Sequence, residues 1–237
     1  RILIFEYITG GGLIENKLDH HLLTEANMIL RSLIDTTKYQ ISFFCDYRHK
    51  YANRKEAIIV NQNNSQIIYD AEFINQYDYF IYSEDDTLFN LRNFKYWLKF
   101  KKLCNKKNYN VGFLRTEKSP IDNSLWTTDQ FFQLDEYVII NRKKYIVLKN
   151  PYYAMWIYDK KDFNNFINSE FWNLYNWRGM NSFTKLYDRE KSAVGWHGLN
   201  MDKYSATIIP LKNNKVLKDS LIVHSSNKYV KERRRIH

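Results

Sequence analysis

Three acids in a row, Glu84-Asp85-Asp86, follow the β-prone run Tyr77 to Tyr82 (YDYFIY) with only Ser83 between. Adjacent carboxylates repel one another, so a chain that sets three of them just past a buried strand must offset that cost. Solvent does so at a surface turn, and a divalent cation does so at a site. A hard cation that keeps several waters needs one or two protein carboxylates and leaves positions for diphosphate oxygens. In an open α/β sheet, ligands collect at the carboxyl ends of the strands, which is where this cluster is expected. Spacing alone leaves both readings standing, a solvated acidic turn and a metal site.

Two other features bear on chemistry. His197 lies in Gly195-Trp196-His197-Gly198, an aromatic loop with glycine at both ends that could close over a substrate. The two cysteines, Cys45 and Cys104, sit in apolar surroundings with no metal-binding spacing and no disulfide framework, which suits a reducing compartment.

The elements that would position these residues are read from hydrophobic periodicity. Arg1 to Ile8 reads as a buried strand ended by Thr9-Gly10-Gly11-Gly12. Leu22, Leu23, Ala26, Ile29, Leu30 and Leu33 then recur at helical spacing, and Tyr39 to Phe44 is the next strand. This strand–helix–strand opening predicts a nucleotide-binding α/β half with a parallel sheet. Residues 46–66 read as polar and irregular apart from Ala57-Ile58-Ile59-Val60. Phe94, Trp97, Leu98 and Leu103 mark one face of a helix, and Asn110 to Thr116 one further strand. Phe131 to Leu148 reads as a hairpin about an Asn-Arg-Lys-Lys turn. Tyr153 to Tyr158 is a strand, Lys160 to Trp172 an amphipathic helix, and Ser205 to Pro210 and Ser220 to His224 are short late strands. With no repeat and no low-complexity linker, the expectation is one α/β domain over residues 1–237.

Composition narrows the class. Of 237 residues, 44% are hydrophobic and 26% charged, which excludes a disordered chain; seven Gly and three Pro exclude collagen-like or linker-rich architecture. The aromatic share of 17% fits stacking on sugars or bases, and equally an AT-rich coding bias. A net charge of +10 favours an anionic partner: nucleic acid, a phosphorylated small molecule or membrane headgroups. The densest basic run, Lys231-Glu232-Arg233-Arg234-Arg235, reads as a solvated tail. No apolar stretch reaches the ~18 residues a membrane helix needs. The chain starts at Arg1 and reads as a fragment, with an upstream anchor or signal left open; a cytoplasmic location is the expectation for the fragment itself.

Tyr77-Asp78-Tyr79-Phe80-Ile81-Tyr82-Ser83-Glu84-Asp85-Asp86 resembles the Asp-any-Asp region of GT-A-fold glycosyltransferases in its "YxEDD" form. Further segments fall in the order those enzymes show. Gly112-Phe113-Leu114-Arg115-Thr116-Glu117 resembles a "GFLRxE" segment, and Asn150-Pro151-Tyr152-Tyr153-Ala154-Met155-Trp156 an acceptor-side strand. Arg189-Glu190-Lys191-Ser192-Ala193 resembles the late acidic segment, and Ser220 to Tyr229 a C-terminal "vHxxnkY" stretch. The resemblance implies a single GT-A-like domain with a Rossmann-like mixed sheet flanked by helices, residues 1–110 forming the nucleotide-sugar half and 111–237 the acceptor half. It implies Mn²⁺ or Mg²⁺ held by Asp86 and His224, with Glu84, Asp85, Asp86, Arg115 and Tyr7 on the donor side. Trp156, Glu117 and His197 fall on the acceptor side, and Glu190 is the base. The acceptor would be a glycan, protein or lipid; no nucleic acid is expected. Each role has a plainer counterpart: His224 as a core histidine, Glu190 in a surface ion pair with Arg189 or Lys191, Arg115 paired with Glu117, Trp156 as core.

A second resemblance competes at the amino end. Phe5-Glu6-Tyr7-Ile8-Thr9-Gly10-Gly11-Gly12, with the segment to Asp46-Tyr47-Arg48, is similar to the opening of some ATP-grasp carboxylate–amine ligases. Those ligases need a later Gly-rich phosphate loop, and only four glycines follow Gly12. The transferase reading therefore leads, with a ligase fragment or a basic nucleic-acid-binding module as alternatives.

Overall fold

The computed structural model describes residues 2–7, 41–46, 57–60, 75, 77–84, 87–119, 121–127, 136–169, 205–225 and 234–235. For 2–7, 41–46, 57–60, 84 and 234–235 it describes the backbone alone. These residues form a mixed α/β structure, mostly sheet, with two helices among them. The chain divides into two compact units, each made of two stretches: residues 1–85 with 154–195, and 86–153 with 196–237. The division falls inside the acidic run, between Asp85 and Asp86. Strands are numbered along the whole chain.

The first unit holds β1 (Ile2–Tyr7), β2 (Ile41–Asp46), β3 (Ala57–Val60), β4 (Tyr79–Glu84) and β11 (Met155–Asp159) in the order β11-β4-β1-β2-β3. β1 pairs parallel with β2, as the strand–helix–strand opening predicts; β1 with β4 and β2 with β3 are parallel as well. The helix expected at Leu22 to Leu33 lies outside the described residues. Ala57–Val60, the one apolar run in an otherwise polar stretch, adds a fourth parallel strand. β11 runs antiparallel along β4, so the sheet is mixed.

Aromatic packing closes the β4–β11 edge. Phe80, Ile81, Tyr82 and the run Met155 to Tyr158 are buried, so these strands are covered on both faces. Helix α2 (Lys160–Ile167) starts where the Asp159 side chain accepts a hydrogen bond from the Asp162 amide at 2.8 Å. Its Phe163 ring stacks on Phe80 at 3.9 Å between centroids, and Phe166 meets Trp156 and Tyr158 edge-on or tilted. The helix ends at Ile167, short of the expected Trp172, with Asn168 as its C-cap.

The second unit contains two sheets and helix α1 (Leu91–Lys106). Asn90 and Asn93 form a reciprocal cap, each side chain accepting from the other's backbone N–H, and Nδ2 of the Asn93 side chain donates to the carbonyls of Asp219 and Leu221. Phe94, Tyr96, Trp97, Phe100 and Cys104 form its buried face. Leu98, expected on that face, is among the exposed hydrophobics, because the stripe is centred on Asn93, Trp97, Phe100 and Cys104.

One sheet comprises β6 (Tyr109–Val111), β9 (Tyr137–Ile140), β10 (Lys143–Val147), β12 (Ala206–Lys212) and β13 (Lys215–Val216). The expected hairpin is β9–β10; it turns at Asn141 and Arg142, both at positive φ as a two-residue mirror-image turn requires. The other sheet has the order β15-β8-β7-β14-β5, from β15 (Arg234–Arg235), β8 (Leu125–Thr127), β7 (Leu114–Lys118), β14 (Leu221–His224) and β5 (Thr87–Leu88). The single strand expected over Asn110 to Thr116 is thus two, β6 and β7, which join different sheets. Gly112 permits the switch: a Cβ there would lie 2.3 Å from the Thr207 methyl carbon on β12. Leu114, Ile146, Leu148, Ile209 and Leu211 pack into one core cluster drawn from both sheets.

Candidate functional site

In the first unit, the chain builds β1, β2 and β3 outward, then returns to place β4 on the other flank of β1. The strand order therefore reverses between β1 and β4, and the crevice at the carboxyl ends of such a pair is where open α/β sheets bind ligands. The register sets Tyr7 beside Glu84 there, the last residue of each strand. β4 continues two residues beyond the expected Tyr82 because Ser83 and Glu84 still pair with Glu6 and Tyr7. Gly10-Gly11-Gly12 and Asp85-Asp86 follow these strand ends in the chain but lie outside the described residues.

In the second unit, the expected segments meet on the sheet around β7. Parallel pairing sets Val223 beside Thr116, and the Thr116 hydroxyl donates to the Ile222 carbonyl at 2.9 Å. The next step brings His224 level with Glu117, where Nδ1 of His224 and Oε1 of Glu117 are 2.7 Å apart. Antiparallel neighbours extend the row: Trp126 of β8 is opposite Glu117, and Thr87 of β5 is opposite His224. Residues directly opposite on neighbouring strands share a face, so Trp126, Glu117, His224 and Thr87 form one row across the sheet. Arg115, two residues before Glu117, shares that face by the period of two. It too is buried, its guanidinium carbon 5.4 Å from the Tyr152 ring centroid.

Burial gives the Glu117–His224 contact its weight. The side chains are 0% and 4% exposed. A carboxylate removed from water costs several kcal/mol unless hydrogen-bonded, so a surface ion pair is no guide to this one. Nδ1 and Oε1 lie within hydrogen-bond distance, and the tautomer sets which of them carries the proton. Metal-binding histidines use this carboxylate–histidine pairing, and so do histidines acting as bases. His224 is one nitrogen donor of the kind divalent cations take. Asp86, the other ligand expected, directly precedes Thr87, the register partner of His224. Among the described residues, no three His, Cys, Asp or Glu side chains cluster as a metal cage.

The other expected site residues fall as follows. Trp156 is 2% exposed, with Tyr158 and Tyr82 stacked beside it at 4.8 and 5.7 Å, the position of a core residue. Tyr7 and Glu84 are adjacent in backbone register. Glu190 and His197 lie outside the described residues. The sequence marks Glu117 and His224 for separate roles; that they touch, and that Thr87 lies opposite His224, comes only from strand register. Two signals were present: polar residues inside the run Leu114 to Glu117, and a histidine closing the apolar run Leu221 to Val223. No helix among the described residues is long and apolar enough to cross a membrane. No protein family, curated protein or solved structure matches the chain.

Proposed function

We propose that the chain is a metal-dependent glycosyltransferase of the GT-A kind, moving a sugar from a nucleotide-diphosphate sugar to an acceptor hydroxyl. The observation that carries this reading is the pairing of Tyr7 with Glu84 at the point where the strand order reverses, with an acidic run continuing from Glu84. On this reading Tyr7, Glu84, Asp85 and Arg115 contact the donor, and Asp86 and His224 are the residues that would hold Mn²⁺ or Mg²⁺. When bound, the cation supplies charge neutralisation for the departing nucleoside diphosphate. Glu190 removes the acceptor hydroxyl proton as a general base.

A thermal-shift screen of UDP- and GDP-sugars, with and without Mn²⁺, tests the reading. A Mn²⁺-dependent shift is expected in the wild type and is lost in Asp86→Asn, which keeps the side chain's shape but not its charge. An unchanged Mn²⁺-dependent shift in that variant refutes the assignment. A shift with ATP and none with any nucleotide sugar points instead to the ligase fragment. Oligonucleotide binding that weakens steeply with salt points to the nucleic-acid module.

A further inference from the structure

Helix α1 (LRNFKYWLKFKKLCNK) carries no acid; Arg92, Lys95, Lys99, Lys101, Lys102 and Lys106 are its only charged residues. Of these, Arg92, Lys95, Lys99, Lys102 and Lys106 are exposed and recur every three or four residues. At 1.5 Å per residue they form a stripe about 21 Å long on one face. Leu98, three residues after Lys95 and four before Lys102, stands in that stripe and is 36% exposed. The opposite face, with Phe94, Trp97, Phe100 and Cys104, is buried in the unit's own core, so the helix lies flat with the stripe outward. Beside its start, the turn Lys218–Ser220 accepts from Asn93 through the Asp219 carbonyl and adds one acid and one base, which leaves the balance unchanged. Like charges at this spacing destabilise a helix, and an ordinary solvated face mixes the two signs. Packing alone therefore gives no reason for a face of one sign.

Among anionic partners, a bilayer fits this face better than a nucleic acid does. Trp97 and Phe100, the rings that would stack on bases, are buried. The stripe is lysine apart from Arg92, and lysine acts as a point charge rather than a fork onto a base edge. An exposed leucine among lysines gains nothing from a phosphate backbone, and it gains from the boundary between headgroups and acyl chains.

We propose that the basic face of α1 docks the protein on an anionic lipid bilayer, with Leu98 entering the headgroup layer. The attachment is reversible and runs through headgroup charge, not through a spanning segment. It stands apart from the transferase reading, since no residue of the stripe belongs to the donor, acceptor or metal sets named above.

The test uses the full chain and sedimented vesicles of phosphatidylcholine, with or without phosphatidylserine, at low salt. The wild type should bind the phosphatidylserine vesicles alone and be released by salt. Each basic residue held near an anionic surface contributes about 1 kcal/mol, or about fivefold in partitioning. Lys95→Gln/Lys99→Gln/Lys102→Gln should therefore weaken binding by about 10²-fold. Leu98→Ala should weaken it at least about fourfold, the worth of one methylene withdrawn from the apolar boundary. Lys143→Gln/Lys212→Gln/Lys215→Gln removes the same charge from exposed positions off the helix. Its cost should stay below about threefold, because the field of the bilayer fades within a Debye length. Equal losses in the two triple variants overturn the assignment to α1. Vesicle binding unchanged in the helix variant, with oligonucleotide binding lost, gives the face to nucleic acid and overturns the proposal. A wild type that ignores phosphatidylserine, or binds both kinds of vesicle equally, overturns it without any variant.

Discussion

Removing His224 should destabilise the protein, and a second substitution at Glu117 should then restore part of the loss. His224→Ala removes the imidazole whose Nδ1 lies 2.7 Å from Oε1 of Glu117, a side chain that is 0% exposed. Breaking a buried pair from one side costs about 3–5 kcal/mol, because the remaining charge keeps its desolvation penalty while losing its partner. Glu117→Gln in that background removes the charge and leaves a neutral amide, whose imperfect hydrogen bonding costs about 1–3 kcal/mol. The cavity left by the imidazole is common to both proteins and cancels. The double variant should therefore be about 2 kcal/mol more stable than His224→Ala, a rise of about 4–8 °C in melting temperature at this chain length. Urea unfolding followed by far-ultraviolet circular dichroism, with EDTA present, measures the difference without any contribution from metal. A double variant no more stable than His224→Ala refutes the reasoning, since the buried carboxylate would then carry no penalty for losing the imidazole.

Glu190→Gln should lower sugar transfer by at least ~10²-fold with donor affinity nearly intact, since the amide cannot take a proton; equal losses of both in steady-state kinetics and titration would make Glu190 structural. Phe163→Ala removes a fully buried ring stacked 3.9 Å from Phe80 and should cost about 3–5 kcal/mol in urea unfolding; a cost below ~1 kcal/mol would mean that the aromatic edge does not hold β4. Burial pushes the Cys104 thiol up to about 12, from 9.0. The folded state thus keeps a proton that the unfolded chain loses, and this contribution is complete below pH 9 and lost as pH rises towards 12. Cys104 should contribute a fall of up to about 1.4 kcal/mol per pH unit between pH 9 and 10, below the range where the buried tyrosines ionise, and Cys104→Ala should remove that share. An equally steep slope in Cys104→Ala would assign the loss to other groups.

Local pattern was enough to find most of the elements that are described. The apolar, β-prone runs Arg1 to Ile8, Tyr77 to Tyr82 and Tyr153 to Tyr158 mark the strands found at Ile2–Tyr7, Tyr79–Glu84 and Met155–Asp159, and Asn-Arg-Lys-Lys between two β-prone runs marks the hairpin that turns at Asn141 and Arg142. These signals are legible because strand and turn preferences are set by residues close in the chain. Boundaries were less so: α2 stops at Ile167, and the run Asn110 to Thr116 breaks at Gly112, where the methyl of Thr207 leaves no room for a side chain. That constraint comes from a residue far along the chain, and no local window contains it.

The sequence by itself also supplied the acidic run after a strand, the basic balance, and the individual residues Glu117 and His224. It could not say that the acid and the imidazole touch, because they are 107 residues apart and only the parallel register of β7 with β14 brings them level. Nor could it place Tyr7 beside Glu84, which depends on β4 returning to the flank of β1 rather than adding beyond β3. Strand order and register are cooperative choices of the whole sheet. A slip of one residue would send His224 to the opposite face from Glu117, so the contact belongs to the tertiary structure even though both residues were visible in the sequence.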